Sequence, residues 1–196
     1  NAAAYTSHHA PLGRSVAGVT VLPAIMVREP FTRMVSAYGF ERRQGEEGHQ
    51  GRGARLAAAH GFAAWVRQRL STPRDPQVRN LQSQRLATLI RPDNPCPDDA
   101  LEAAQQLPFI GLVEAFDASR DALRTVAAQH GLTLAAGTPR ANALGFGAET
   151  AARLASLPEP LREELIAANA ADIALHRAVA ERYGVRVTGP LDTVAP

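Results

Sequence analysis

The sequence predicts an α/β protein that is rich in helices, with a short parallel sheet. Two segments, 21–27 and 109–113, are short and apolar on both faces, which is typical of parallel strands covered by helices. Between and after them, apolar residues recur at helical spacing. The length of 196 residues suits one medium-sized domain. We expect this domain to span 1–187, with 188–196 as a C-terminal tail.

The composition excludes several classes of protein. Apolar residues make up 45% of the chain and charged residues 20%, which excludes a disordered or fibrous protein. All 21 basic residues are arginine and there are 19 acidic residues, so the formal charge of +2 does not support a nucleic-acid-binding surface. A single cysteine, Cys96, cannot form an intrachain disulfide.

No apolar run approaches the roughly 20 residues that a membrane helix needs. We therefore expect no membrane segment and a cytoplasmic location. The high alanine and arginine content without lysine favours a bacterial source with a GC-rich genome.

The first strand and the segment after it form the most informative local pattern. Segment 21–27 is followed by a predicted helix from Phe31 to Phe40, and Pro30 suits a first helical turn because it has no N–H to lose. The apolar side of that helix comprises Phe31, Met34, Val35 and Tyr38. The turn at 27–30 therefore lies at the carboxyl end of a strand, where α/β proteins bind ligands.

The next three segments have distinct patterns. Residues 41–55 are glycine-rich and charged, which predicts a mobile surface loop. Residues 56–70 predict one amphipathic helix, and 80–90 predict another. The apolar positions of the first of these helices are Leu56, Phe62, Trp65, Val66 and Leu70.

Later helices are predicted from capping residues and periodicity. One helix runs to Leu107 and another ends at His130–Gly131, with glycine in its usual C-terminal role. The residues expected to cap their N-termini are Asp98 or Asp99, and Asp117 or Ser119. Residues 135–147 predict a loop, and a long helix is expected over 161–183.

The turn at 27–30 carries the residue types of a phosphate site. Arg28 follows the strand and Ser36 lies about two turns into the helix. A guanidinium binds phosphate through paired charge-assisted hydrogen bonds, a hydroxyl adds a donor, and a helix N-terminus adds backbone N–H groups. Structural alternatives remain open: Arg28 can pair with Glu29 or Asp117, and Ser36 can be a small packing residue.

The same residues carry a family resemblance. The pattern Arg28-x-Pro30-x-x-Arg33-x-x-Ser36-x-Tyr38 after an apolar strand resembles the 3′-phosphate-binding motif of sulfotransferases that use 3′-phosphoadenosine-5′-phosphosulfate (PAPS). It is most similar to the branch with heparan sulfate 2-O-sulfotransferase and its bacterial relatives. The resemblance implies a P-loop-like sulfotransferase fold in which Arg28 and Ser36 hold the 3′-phosphate. Arg33 either supports that pocket or holds the helix by a salt bridge.

Three further stretches resemble the family in the same order, so the resemblance covers roughly residues 5–183. The bacterial members commonly carry Asn-x-Gln-Thr-x-x-Leu, Phe-x-Gly-x-x-Glu-x-Phe-Asp and a closing helix with Asp-x-x-Leu-Tyr. The matching segments here are 80–86, 109–117 and 169–176. The family also commonly has Asp at the position of Glu29, a mild departure.

The resemblance implies a catalytic histidine upstream of the first strand. It maps best onto His8, with His9 as neighbour or substitute, and imidazole suits the role of a base near neutral pH. By residue type alone, two such histidines are better explained as surface residues. Arg140, in a late loop, is a candidate donor contact or a solvated arginine. No metal is required, and a zinc site from His8, His9 and His49 fails on spacing.

One departure from the family is serious. The family has an N-terminal loop that grips the 5′-phosphosulfate with backbone N–H groups and a lysine. This sequence has no lysine and no glycine-rich turn before His8. Either that segment precedes Asn1, which the missing initiator methionine favours, or the chain cannot complete the transfer.

The leading expectation is therefore an enzyme that moves a sulfuryl group from PAPS to a hydroxyl acceptor, either a carbohydrate or another hydroxylated metabolite. The first alternative is a non-catalytic nucleotide- or phosphate-binding module of the same fold. The second is an arginine-rich interaction domain that contacts an anionic polymer through 41–55 and 67–79.

Overall fold

The computed structural model describes residue 12 and residues 17–73, 75–134 and 147–186. The chain forms two compact units. The described part of the first unit comprises 12, 17–28, 82–134 and 174–186, and that of the second comprises 29–73, 75–81 and 147–173. The expectation of one domain over 1–187 stays a prediction.

The described residues are mostly helical, with a two-stranded parallel sheet, so the α/β class and the parallel pairing are confirmed. The P-loop-like arrangement stays a prediction. In chain order the strands and α-helices are β1 (Ala24–Val27), α1 (Pro30–Glu46), α2 (Arg52–Ala59), α3 (Phe62–Leu70), α4 (Leu81–Ala87), α5 (Ala100–Gln106), β2 (Phe109–Leu112), α6 (Phe116–Gln129), α7 (Gly147–Ala155), α8 (Glu159–Ala167) and α9 (Ala170–Arg182). Short 3₁₀ helices cover Pro76–Val78, Pro97–Asp99 and Val113–Ala115.

The first unit is built on the sheet. β1 pairs with β2 in a register that runs from Ala24 with Phe109 to Val27 with Leu112. All four residues of β2 are buried, and α6 packs against the strand. Gly111 is needed for this close approach, because a Cβ there would lie 2.7 Å from the Phe109 ring and 3.1 Å from the Cβ of Ser119.

The second unit has a larger apolar core. The core includes the four residues predicted for the apolar side of α1, which is confirmed, together with aromatic residues of α3. The rings of Tyr38 and Trp65 meet edge to face with centroids 5.5 Å apart. Leucines of α7, of α8 and of the connection between them complete the core: Leu154, Leu157, Leu161 and Leu165.

The prediction of a surface loop over 41–55 is confirmed only for residues 47–51, which are exposed and connect two helices. It is wrong on either side, because α1 continues to Glu46 and α2 begins at Arg52. The glycines were misleading because one of them allows close helix packing: a Cβ on Gly45 would lie 2.6 Å from the Cβ of Ala58. Glycine here marks an interhelical contact in which a larger side chain does not fit.

Two predicted long helices are each interrupted. The helix expected over 56–70 is two helices, because the chain is extended at His60 and Gly61. The helix expected over 161–183 is also two, since α8 ends at Ala167 and α9 begins at Ala170. In both cases the apolar residues face the core, so helical periodicity alone did not reveal the break.

The predicted caps are only partly correct. Asp99 occupies the N-cap position of α5, but its side chain makes no cap bond and pairs with Arg91 at 2.9 Å. Ser119 lies inside α6, whose N-cap position is Ala115. The end at His130–Gly131 is confirmed, with Gly131 at a φ of 71°. Residues 135–146 of the predicted loop and all of the predicted tail 188–196 lie outside the described residues.

Candidate functional site

Arg28 follows β1 directly, and Gln82 forms hydrogen bonds with both its backbone N–H and its backbone carbonyl. The N–H of Arg28 donates to Gln82 Oε1 at 2.8 Å, and Gln82 Nε2 donates to the carbonyl of Arg28 at 2.8 Å. Gln82 is buried, so breaking either bond would leave a buried polar group unpaired. The predicted placement of Arg28 at the carboxyl end of a strand is confirmed.

Glu29 occupies the N-terminus of α1. Its carboxylate accepts hydrogen bonds from the N–H of Phe31 at 3.1 Å and of Thr32 at 2.6 Å. Pro30 has no N–H, and the N–H of Arg33 donates to the backbone carbonyl of Glu29 at 3.0 Å. The expectation that this helix N-terminus offers backbone N–H groups to a phosphate is therefore wrong, because a carboxylate of the chain already takes that place.

Ser36 and Arg33 lie on the same side of α1, three residues apart. Ser36 is half-buried. The Arg33 guanidinium donates to the side-chain oxygen of Gln77 at 3.0 Å and to the backbone carbonyl of Gln77 at 2.7 Å. These bonds hold the 3₁₀ helix Pro76–Val78 against α1. They favour the interpretation that Arg33 holds the helix over the interpretation that it supports the phosphate pocket. The bonds are made to an amide and a carbonyl and not to a carboxylate.

The stretch at Asn80 and the closing helix meet in the second unit. The N–H of Asp172 donates to Asn80 Oδ1 at 3.1 Å, and the N–H of Asn80 donates to Asn169 Oδ1 at 3.2 Å. Asn169 is fully buried and donates from Nδ2 to the carbonyls of Val78 and Leu165, each at 2.8 Å. Asn80 has a φ of 45°, which asparagine tolerates better than most residues. The network therefore stabilises a left-handed backbone at Asn80.

The stretch that contains β2 and the closing helix also meet, in the first unit. His176 is buried, and its Nε2 lies 3.5 Å from Glu114 Oε2. The Tyr183 hydroxyl donates to the carbonyl of Ile110 at 2.9 Å. Asp117, one suggested partner of Arg28, forms an ion pair with Arg120 at 3.1 Å. Each of the four stretches that resemble the sulfotransferases thus contacts another of them within one unit.

Three predicted site residues lie outside the described residues. They are His8 and His9, expected at the base position, and Arg140, expected near the donor. Their roles stay predictions.

Sequence reasoning missed a charged cluster in the second unit. Arg69 is buried and donates from Nη2 to Glu41 at 2.6 and 2.7 Å and from Nη1 to Asp75 at 2.9 and 3.1 Å. Trp65 Nε1 donates to Glu41 at 3.0 Å, and the guanidinium of Arg69 stacks 4.7 Å from the Trp65 ring. The cluster borders an open cavity of about 420 Å³. A sequence signal for this cluster was available, because the helical pattern of α1 continues past Phe40.

Within the described residues, no group of three or more His, Cys, Asp or Glu side chains is placed to hold a metal ion. None of the helices in the same part of the chain combines the length and the apolar character needed to cross a membrane.

The chain is similar to an uncharacterized protein of Archaeoglobus fulgidus, with 38% identity over 126 residues. The match covers 61% of this chain and 49% of the archaeal protein, so the chain spans about half the length of that relative. No family model matches the chain. No solved structure matches it either.

Proposed function

We propose that the protein transfers a sulfuryl group from PAPS to a hydroxyl group of a carbohydrate or another hydroxylated metabolite. Arg28 and Ser36 bind the 3′-phosphate of the donor, and His8 is the base that deprotonates the acceptor. Arg33 acts by holding α1, and Arg140 contacts the donor.

The observation that carries the proposal is the main chain of Arg28, held at the carboxyl end of β1 by Gln82. Both residues belong to stretches that resemble the sulfotransferases, and they lie 54 positions apart. A guanidinium on a fixed backbone loses less conformational freedom when it binds a phosphate, which favours affinity. The carboxyl end of a parallel strand is also where ligands of α/β proteins bind.

The cap on α1 changes how a phosphate can be held. Because the carboxylate of Glu29 takes the first N–H groups of the helix, binding depends on side chains. A guanidinium can form two parallel charge-assisted hydrogen bonds with a phosphate, and a hydroxyl can add one more. We therefore assign the larger share of the binding free energy to Arg28 and a smaller share to Ser36.

In the proposed transfer, the acceptor oxygen attacks sulfur in line with the bond to the 5′-phosphate. A new S–O bond to the acceptor forms while the S–O bond to the 5′-phosphate breaks. The acceptor proton passes to His8, and adenosine 3′,5′-bisphosphate leaves with the electron pair of the broken bond. Lysine is absent from this sequence, so arginine is its only side chain that stays cationic at all ordinary pH values.

A second candidate function is phosphate or nucleotide binding without transfer. It requires only the phosphate site at Arg28, whose main chain is held by Gln82, and not the base at His8. The arginine-rich interaction surface has less support, because several of its arginines bond within the chain. These are Arg42 with Glu46, Arg52 with Thr72, Arg69 with Glu41 and Asp75, and Arg79 with Glu164.

Binding of adenosine 3′,5′-bisphosphate to the full chain tests the proposal. A ligand at 100 times its dissociation constant stabilises a protein by about 2.7 kcal/mol, so we expect a clear rise in melting temperature. Arg28→Ala should lower the affinity about 10- to 100-fold, since it removes a charged hydrogen-bonding group. Arg43→Ala is the matched control: it removes one exposed arginine of α1 and should leave binding unchanged. Equal binding by both variants would contradict the phosphate site.

Sulfate transfer separates the enzyme from the binding module. The protein expressed from its complete gene is assayed with labelled PAPS and a panel of carbohydrate and phenolic acceptors. We expect transfer that His8→Ala reduces by about 10²- to 10⁴-fold, the usual contribution of a general base. Tight nucleotide binding without any transfer would support the second candidate instead.

A further inference from the structure

The two hydrogen bonds between Gln82 and Arg28 reproduce a pattern that strands normally form. In an antiparallel sheet, a hydrogen-bonded pair of residues exchanges both N–H···O bonds. The Gln82 carboxamide makes the same exchange with one residue, since its oxygen accepts from the N–H of Arg28 and its nitrogen donates to the carbonyl. This assigns the amide orientation, because the reverse would place two donors and two acceptors face to face.

The two hydrogen bonds with Gln82 are made one residue beyond the end of β1. The ladder between β1 and β2 runs to Val27 opposite Leu112, and Arg28 is the next residue along the chain. Gln82, in α4, bonds the main chain of that residue. Because donor and acceptor of one carboxamide are rigidly spaced, both bonds form together only over a narrow range of Arg28 backbone angles.

We infer that Gln82 is a positioning residue for 3′-phosphate recognition: it does not touch the nucleotide, and it fixes the backbone from which the Arg28 side chain extends. The inference rests on the proposed function. Loss of the bond pair lets the Arg28 backbone sample more conformations, and the guanidinium then pays more conformational entropy when it binds. The loss concerns only ligands that carry a 3′-phosphate.

A purely structural role for Gln82 makes a different prediction. Removal of a buried amide that only stabilises the fold would weaken all nucleotides alike or none of them. Ser119 provides the matched comparison, because its hydroxyl accepts from the N–H of Leu112 at 2.8 Å and donates to the carbonyl of Leu112 at 2.9 Å. Ser119→Ala therefore removes two bonds of the same kind from the neighbouring strand without touching Arg28.

The experiment measures dissociation constants for adenosine 3′,5′-bisphosphate and for adenosine 5′-monophosphate, which lacks the 3′-phosphate. In Gln82→Met, we expect affinity for the bisphosphate to fall about tenfold and affinity for the monophosphate to stay within about twofold. Ser119→Ala should keep the wild-type ratio of the two constants. Gln82→Glu, which can accept from the Arg28 N–H and cannot donate to its carbonyl, should show an intermediate loss and serves if the methionine variant fails to fold.

Three outcomes would overturn the inference or its basis in distinguishable ways. If the wild type prefers the bisphosphate and the Gln82 variants keep that preference, the positioning role fails and the proposed function stands. If the variants weaken both nucleotides equally, Gln82 is only structural. If the wild type itself shows no preference for the bisphosphate, the proposed function fails and the positioning role fails with it.

Discussion

The ends of β1 and β2 are neighbours in one sheet, and a side chain holds each of them in a different way. At the end of β2, Leu112 is bonded through its N–H and carbonyl by Ser119, seven positions later in the chain. At the end of β1, Arg28 is bonded through the same two groups by Gln82, 54 positions later. The two strand ends share one bonding pattern and differ in how far apart the bonded residues lie in the sequence.

The bonds at the end of β2 are local in sequence, whereas those at the end of β1 depend on the tertiary structure. Leu112 is fully buried and leads through a short 3₁₀ helix into α6, where Ser119 lies, so its bonds close a strand-to-helix connection. Arg28 is charged and only partly buried, and it is held from a helix that follows three others along the chain. Closing a longer loop costs more conformational entropy, so the bond pair between distant residues depends more on the rest of the tertiary structure than the local one does.

The largest effect on stability is expected for Ser119→Ala. The substitution leaves the N–H and carbonyl of Leu112 buried without their partner, which costs about 2 kcal/mol in the free energy of unfolding. Urea denaturation followed by circular dichroism would measure this loss. A cost below about 0.5 kcal/mol would mean that water or a backbone shift replaces both bonds, and that the two strand ends are less alike than their bonding suggests.

A smaller effect is expected at the other strand end for Glu29→Ala. Loss of the cap leaves the N–H groups of Phe31 and Thr32 without their acceptor, and we expect a cost of about 1 kcal/mol in the free energy of unfolding. Glu29→Asp keeps a carboxylate at the N-cap and is the matched control, with a clearly smaller cost by the same denaturation measurement. Equal losses in both variants would show that the length of the glutamate side chain, and not its charge, matters.

The smallest effect is expected for Tyr183→Phe, which removes the hydroxyl that donates to the carbonyl of Ile110 in the middle of β2. One partly buried hydrogen bond contributes about 0.5 to 1.5 kcal/mol, and we expect a value near the lower limit because the ring still packs. Comparison with Ser119→Ala by thermal denaturation would rank the two contacts on the same strand. A loss larger than that of Ser119→Ala would place the main support of β2 at its centre.

Sequence reasoning located the strands and the apolar side of α1 because these depend on local periodicity. Phe31, Met34, Val35 and Tyr38 recur at helical spacing and are all buried. It failed over the helical parts of 41–55, on either side of the exposed connection 47–51, because glycine has two opposite meanings. A glycine in an exposed segment predicts a loop, whereas Gly45 is required where α1 and α2 pack closely.

The candidate site was predictable in its residue types and not in its hydrogen bonds. Arg28 was placed correctly at the end of β1, since strand ends follow from the apolar run. The competition between Glu29 and a phosphate for the α1 N–H groups was missed, although Pro30 marks the first turn of the helix and so places Glu29 at its N-cap. The bond between Asn80 and Asn169 joins residues 89 positions apart, and no local pattern indicates it.

The amino-acid sequence by itself determined the α/β class, the parallel pair of strands and the position of Arg28 at a strand end, because these follow from local hydrophobic periodicity. The tertiary structure decided which polar groups are already bonded within the chain. Gln82 holds the Arg28 main chain, Glu29 occupies the α1 N-terminus, and Asn169 holds Asn80. A buried polar group needs a hydrogen-bond partner within about 3 Å, and the fold can bring that partner from any position along the chain.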